Sequence, residues 1–361
     1  MKKTLGLIAT FGIVTSANAE TSFSWKGDFR YRTESIKNEQ TPPTEDTTRL
    51  RQRMRLRFGA TATVNESTDV TLRLATGSTA TSNTNSTNQD FTDYNSKKGI
   101  NVDLAYAQHK VSDSLTMWLG KSPLAFYTAG GNDLVFDTDV TPEGISAKYK
   151  NSNDEFDFLF NTSATWLNER FNTTDASDAD IGLLAAQIGG TFKSEDFFTG
   201  LTLSNYSYSN IKGSAATVAG GNSTVGANYE KEFEILAAGL ELGTNSLGAP
   251  LIIYGEASQN TKADDYKSAW NAGLKYGKLK DLDSWAISSD YREVQKDAVI
   301  GVLTDSDSSD GGADIRSHRT TFGYQWLENA TISASFYQGF KTVSIDKKKY
   351  QRIMLDFGYS F

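Results

Sequence analysis

Arginine recurs at every second position of one segment: Arg49, Arg51, Arg53, Arg55 and Arg57. In an extended strand alternate side chains share a face and stand about 7 Å apart, so all five guanidiniums point one way. The chemistry that such a row offers is electrostatic, the steering and filtering of charged or dipolar solutes. Cost decides where the row can sit. Against lipid, each arginine would cost about 2–4 kcal/mol near the midplane. In a dry core, five buried partners would be needed. Across water, neighbours at about 7 Å repel by only about 0.6 kcal/mol. A water-filled lumen is the least costly place, and the opposite face (Leu50, Met54, Leu56, Phe58) suits lipid. Arg30 and Arg32 before the row and Arg73 after it fall on the corresponding polar face, so a basic wall of eight arginines is expected.

A counterpart stands at 122–142, SPLAFYTAGGNDLVFDTDVTP, which carries Asp133, Asp137 and Asp139, with Glu143 just after. Gly130 and Gly131 permit a sharp reversal. Leu124, Phe126, Leu134 and Phe136 do not belong on a loop exposed to water; they make sense if the loop folds inward and packs on a wall. A basic wall facing an acidic loop makes a transverse field across a narrow aqueous gap. A structural ion-pair network that steadies the loop is the second reading of the same residues, and the two are compatible.

The elements that must position these residues read as strands. Ile353, Leu355, Phe357, Tyr359 and Phe361 share one face, and Arg352, Met354, Asp356 and Ser360 the other. Phe23, Trp25, Phe29 and Tyr31 alternate with Lys26, Asp28, Arg30 and Arg32. Similar period-two segments begin near Val70, Ile100, Leu115, Gly144, Glu155, Asp180, Phe197, Glu230, Leu251, Ser268, Ser284, Ser317 and Ala330. Together they make sixteen, and helical periodicity does not compete over any long window. Short connections (65–69, 112–114, 151–154, 193–196, 244–249, 278–283, 328–329) alternate with long ones (37–47, 77–99, 122–142, 163–179, 210–228, 259–266, 295–316, 344–349). That alternation predicts an all-β fold: a transmembrane up-and-down antiparallel β-barrel of about 16 strands, with short periplasmic turns and long extracellular loops. A soluble β-sandwich would alternate too. It would not explain an export signal, a run of sixteen strands with no break into two sheets, or a chain ending on an apolar strand at Phe361, where termini usually fray.

Residues 1–19, MKKTLGLIATFGIVTSANA, have the secretory order: a basic start at Lys2 and Lys3, an apolar stretch too short to span a bilayer, and an Ala17-Asn18-Ala19 cleavage site. The expected organisation is a cleaved signal peptide, 1–19, and one barrel domain, 20–361. Cleavage removes two lysines, leaving 34 basic residues against 44 acids and a formal charge of −10. The basic wall and the acidic loop oppose each other, so this total does not set the sign of ion selectivity. The 361 residues contain no cysteine, which excludes disulfides, thiolate metal sites and cysteine catalysis, and suits a chain crossing the periplasm unfolded. The mean hydropathy looks soluble, but it excludes only helical spans, since half of each barrel strand faces water.

Three blocks carry a family resemblance: RLRFGATATVNESTDVTLRLATGS (55–78), INVDLAYAQHKVSDSLTMWLGK (100–121) and LVFDTDVTPEGISAKY (134–149). With the aromatic terminus they resemble the putative porin family of Gram-negative outer-membrane barrels, over nearly the whole mature chain. The resemblance implies passive diffusion of small hydrophilic solutes and ions through an integral outer-membrane channel, without cofactor or metal. By similarity to trimeric general porins it implies a constriction with Arg49 to Arg57 on the wall and the loop acids opposite, and a homotrimer. The terminal Phe357, Tyr359 and Phe361 resemble the assembly signal of such barrels, which implies periplasmic chaperones and the barrel assembly machinery as partners, beside outer-membrane lipid and lipopolysaccharide.

Rival readings are weaker. An enzyme would usually need a histidine for acid–base work. His109 and His318 fall at opposite ends of the expected barrel and cannot share a site. Asp305, Asp307 and Asp310 with two following glycines fail the spacing of a calcium loop and read as a solvated acidic tip. The arginine row lacks the aromatic platform of a nucleic-acid surface. Two alternatives stay open: a sugar- or anion-preferring channel, with Trp118, Tyr208 and Tyr337 as candidate aromatics, and an adhesin or receptor barrel using its long loops, 77–99 being the largest and reading as a solvated canopy.

Overall fold

The computed structural model describes residues 22–40, 44–77, 86–92, 94–170, 179–216 and 220–361. The expected signal segment, 1–19, lies outside the described residues. Sixteen strands form the wall: β1 (Ser22–Asn38), β2 (Thr47–Asn65), β3 (Thr68–Thr76), β4 (Ile100–Lys110), β5 (Leu115–Lys121), β6 (Glu143–Ser152), β7 (Phe156–Asn168), β8 (Ile181–Lys193), β9 (Phe197–Ser209), β10 (Glu234–Thr244), β11 (Leu251–Asn260), β12 (Ser268–Gly277), β13 (Trp285–Val294), β14 (Ile315–Leu327), β15 (Ala330–Lys341) and β16 (Lys348–Ser360). Each pairs antiparallel with its neighbours in sequence, and β1 pairs with β16 from Asp28↔Ser360 to Asn38↔Tyr350, which closes the barrel. Closure leaves no sheet edge, the condition for crossing lipid with strands. Phe361 itself completes the seam, donating to the Gly27 carbonyl at 3.0 Å and accepting from the Gly27 N–H at 2.7 Å.

Alternation sorts the two faces as expected. Along β10, Leu236, Leu240 and Leu242 are exposed, whereas Ile235, Ala237 and Glu241 are buried. The exposed apolar residues of the other strands, among them Leu184, Leu201, Leu203, Ile253 and Leu274, continue this outer belt. Apolar side chains outside and polar ones inside invert a soluble protein and match a lipid-facing wall. Short turns gather at one end and long loops at the other. Strand ends differ from the sequence reading by a few residues at most places. The exception is β7, which runs to Asn168, five residues beyond the expected start of its loop.

The inner face departs from expectation. The lumen of the long-loop half is not uniformly polar: Ile181, Leu183 and Ala185 on β8, Tyr206 and Tyr208 on β9, and Ile235 and Ala237 on β10 form one buried apolar cluster with residues of three loops. Loop 122–142 contributes Leu134, Val135 and Phe136; loop 210–233 contributes Ile211, Tyr229 and Phe233; loop 295–314 contributes Ala298, Val299 and Ile300. Burial of these side chains holds the loops inside the barrel mouth, since each apolar side chain withdrawn from water is worth about 1.5–3 kcal/mol.

Candidate pore and selectivity site

The arginine row lies on β2 and faces inward, but its setting is denser than a row of free cations in water. Arg30 and Arg32 on β1 stand directly across from Arg55 and Arg53. Like charges opposite one another destabilise a sheet, and carboxylates on the same face offset this. Asp28 lies across from Arg57 and reaches it at 2.8 Å and Arg55 at 2.9 Å. Glu34 lies across from Arg51 and pairs with it and with Arg352 of β16. Asp356 lies across from Arg32, at 2.7 Å. Arg73 on β3 pairs with Asp103 on β4 at 2.6 Å. Asp90 holds Arg53 at 2.7 Å, Arg49 at 3.0 Å and Arg51 at 3.6 Å. Asp28, Glu34 and Asp356 all alternate in phase with the arginines, so the sequence carried the signal that would have found them.

Strand lengths explain Asp90. β3 stops at Thr76, one residue after Ala75, which lies opposite Arg57, so β2 outruns it and would show an unpaired edge. Residues Gln89–Asp90 pair with that edge through Met54↔Gln89 and Arg53↔Asp90. This part of loop 77–99, expected as a solvated canopy, is thus tied to the basic wall.

Loop 122–142 crosses the lumen. It leaves and re-enters the wall at Gly120 and Gly144, which lie opposite each other with φ of 117° and 153°. A side chain at either would strike a neighbouring strand's carbonyl. Tyr127 exchanges two 2.8 Å bonds with the Gln187 amide on β8, and its hydroxyl donates to Glu241 on β10. The reversal at Gly130 and Gly131 uses φ near 60° and brings the Gly130 N–H to Glu241 at 2.7 Å. Asn132 donates to Glu256 on β11 at 2.7 Å. Asp133 then meets Arg292 of β13 and Arg319 of β14, the latter at 3.1 Å. The returning half brings Asp139 to 3.6 Å from Arg57.

The four acids expected to oppose the arginine row therefore divide. Asp139 reaches it. Asp133 pairs instead with Arg292 and Arg319 on β13 and β14, two arginines that the row did not announce. Asp137 touches loop 295–314, accepting from the Ser306 N–H at 3.1 Å. Glu143, largely exposed, pairs with Lys121 at 2.9 Å.

Loop 295–314 supplies the other facing acid. Asp307 lies 3.2 Å from Arg32 and 3.0 Å from Arg352. Asp305 lies 3.1 Å from Arg292, which is fully buried. The segment expected as a solvated acidic tip is in fact folded inward, with Asp305, Ser308 and Ser309 buried. The physical reason is its own apolar run, Ala298-Val299-Ile300-Gly301-Val302-Leu303, together with three arginines ready to receive its acids. Asn222 of loop 210–233 fastens it further, donating to the carbonyls of Lys296 and Val299 at 2.8 Å and accepting from the Gly301 N–H.

The profile of the family described as "Putative porin" matches residues 17–235, more than half of the chain. The chain belongs to this family. No curated protein matches it. Solved structures share the porin's fold at low identity. OprB of Pseudomonas putida gives a TM-score of 0.59 at 11% identity, covering 94% of each chain. Salmonella typhi OmpF in complex with daunomycin gives 0.54 at 10%, covering 94% of this chain and 98% of that one. In-vitro folded OmpT, an outer membrane protein of Vibrio cholerae, gives 0.52 at 12%, covering 97% and 100%. Family and fold are those of an outer-membrane channel. The porin's two histidines stand at opposite ends of the wall, His109 bonded to Thr68 and His318 to Ser289, both at 2.9 Å.

Asp137 marks where the two inward loops meet. Burial, then the nearby Asp305, and further Asp139 and Asp133, push its carboxyl up to about 7. An acid whose folded pKa is raised stabilises the fold below its unfolded value, and that contribution fades as pH climbs through the folded value. The loop–loop contact should be firmest at about pH 4, loosen as pH rises to about 7 and change little above that, with more current fluctuation in bilayer recordings. Asp137→Asn keeps the acceptor for Ser306 and should remove this pH dependence. A wild-type noise level flat from pH 4 to 7 would count against it.

Proposed function

We propose that this porin is a weakly selective passive channel for small hydrophilic solutes and ions, open without energy input. The observation that carries the reading is the closed barrel with nine inward arginines on one wall, Asp139 and Asp307 reaching them from loops inside the lumen. Arg30, Arg32, Arg49, Arg51, Arg53, Arg55, Arg57 and Arg73, with Arg352, form its basic side. Such a wall orients dipolar solutes in a narrow gap and filters ions by sign. Pure mature protein in a planar bilayer should give stepwise ohmic conductance. Silent membranes carrying correctly folded barrel would move the reading to an adhesin that works through its loops.

Removal of 1–19 before insertion belongs to the same proposal, as does recognition of the last strand by the assembly machinery and periplasmic chaperones. Phe357 and Tyr359 lie against Tyr31 and Phe29 at ring separations of 6.4 and 6.3 Å, and Phe361 closes the seam, so the terminal strand is the one the barrel cannot close without. A homotrimer in lipid and lipopolysaccharide is also proposed. One of the similar structures, Vibrio cholerae OmpT, has a trimer form.

A sugar-preferring channel gains little support. Tyr208 and Tyr337 are buried rather than lining a path. Trp118 donates to Gln108 at 3.0 Å and carries the Lys148 ammonium 4.6 Å over its ring, so that face is taken.

A further inference from the structure

A cavity of about 630 Å³ opens between the strands β3 to β8 and the three inward loops. Its volume is that of a small-molecule site. Its two sides differ in chemistry. The loop side is apolar, with Leu124, Phe126, Phe136, Ile300 and Leu303. The strand side carries Asp103, Glu143 and Lys121, with Asp139 of loop 122–142 beside them. Phe136 and Ile300 are largely taken up in the packing that holds the loops inside, whereas Leu124, Phe126 and Leu303 are only partly buried and leave apolar surface open to the cavity.

The charges on the strand side indicate which partner the polar end would take. Each of the three carboxylates is already engaged: Asp103 by Arg73, Asp139 by Arg57, Glu143 by Lys121. No acid at the cavity is left for a cationic solute. The arginines beyond are in excess. Among the described residues nine of them (Arg30, Arg32, Arg49, Arg51, Arg53, Arg55, Arg57, Arg73, Arg352) share seven carboxylates (Asp28, Glu34, Asp90, Asp103, Asp139, Asp307, Asp356). Arg30 is the least served: it donates to the neutral Asn88, its nearest carboxylate oxygen among the described residues is 3.9 Å away, and its Nε is buried without a hydrogen-bond partner. Two residues of the cavity wall, Thr87 and Thr165, are more than nine-tenths buried, and their hydroxyls too lack partners. Both hydroxyls are free to donate to an anionic group that enters the cavity.

We infer that this vestibule is a selectivity subsite for amphipathic organic anions, monocarboxylates with an apolar body. The body lies on the Phe126, Phe136 and Leu303 side, and the carboxylate leads towards Arg73, Arg57 and the row beyond. This rests on the channel reading and names the solute class that the channel prefers.

The test is block and permeation in planar bilayers carrying the wild-type porin in dilute KCl. Benzoate, acetate, benzyl alcohol and benzylammonium are added in turn. Benzoate should half-block the small-ion current at about one-tenth of the acetate concentration. That ratio corresponds to about 1.4 kcal/mol, which roughly 55 Å² of apolar contact supplies. Benzyl alcohol and benzylammonium should need about tenfold more than benzoate. In Leu303→Gln and Leu124→Asn, each measured against its own acetate value, the advantage of benzoate should fall at least threefold. Equal block by benzoate and acetate, or by benzoate and benzylammonium, in a conducting wild-type channel overturns the inference and leaves the channel reading intact. Absence of conductance overturns both.

Discussion

Glutamine at positions 51, 53 and 55 together is expected to shift the channel strongly towards cation preference. Nine arginines face seven carboxylates on the wild-type wall; in the triple variant six face the same seven. Each lost charge, at about 8 Å across water, is worth about 0.5 kcal/mol to a passing ion. Three of them are worth about tenfold to each ion, in opposite senses for chloride and potassium, so the permeability ratio should change about a hundredfold before screening. The shift is read as the reversal potential under a KCl gradient, at low salt, because the Debye length of about 10 Å at 0.1 M screens the wall at higher concentration. The variant should still fold, because no acid loses its last arginine. Glu34 keeps Arg352, Asp90 keeps Arg49 and Asp28 keeps Arg57. An unchanged reversal potential in a folded variant would remove the row from the conducting passage and return it to a structural role.

That reasoning depends on how the wall is neutralised, and here the sequence was only half legible. Period-two alternation exposed the strands, the turns and the inward face of the row, because a pleat gives every second residue the same environment whatever its partners are. It also gave loop 122–142, since Leu134 and Phe136 have no place in water. Loop 295–314 follows the same physics and was misread. Its acids, Asp305, Asp307 and Asp310, masked the apolar run just before them. Asp305 goes to Arg292, and Asp307 to Arg352 and Arg32; Arg292 and Arg352 are each the single arginine of a late strand, where one charged residue looks like any lumen residue. Local pattern reports burial. Charge pairing across a lumen depends on which strands close against which loops, and no window of sequence contains that. Asp90 is a related case: its position follows from β2 being longer than β3, a length mismatch that alternation alone does not reveal.

The largest structural effect is expected at Arg292. It is fully buried, it meets Asp133 of loop 122–142, and it lies 3.1 Å from Asp305 of loop 295–314 and 3.2 Å from Asp290 on its own strand. One guanidinium thus joins two loops to the wall. Removing one partner of a buried ion pair typically costs about 3–5 kcal/mol, because the carboxylates left behind have no water to turn to. In Arg292→Met, Asp133 and Asp290 retain Arg319, at 3.1 and 2.7 Å, but Asp305 has no arginine within ion-pair distance among the described residues. The sixteen-strand wall does not depend on this contact, so the loss should appear as local opening rather than global unfolding. Protease should cut loops 122–142 and 295–314 far faster than in wild type, while the barrel persists. Single-channel conductance should rise and flicker as the loops leave the lumen. Asp305→Asn added to Arg292→Met should recover part of the protection, since it removes the orphaned charge, and that coupling separates an electrostatic latch from simple loss of packing. Loops that stay protected, with conductance unchanged in the single variant, would show that the apolar cluster alone keeps them inside.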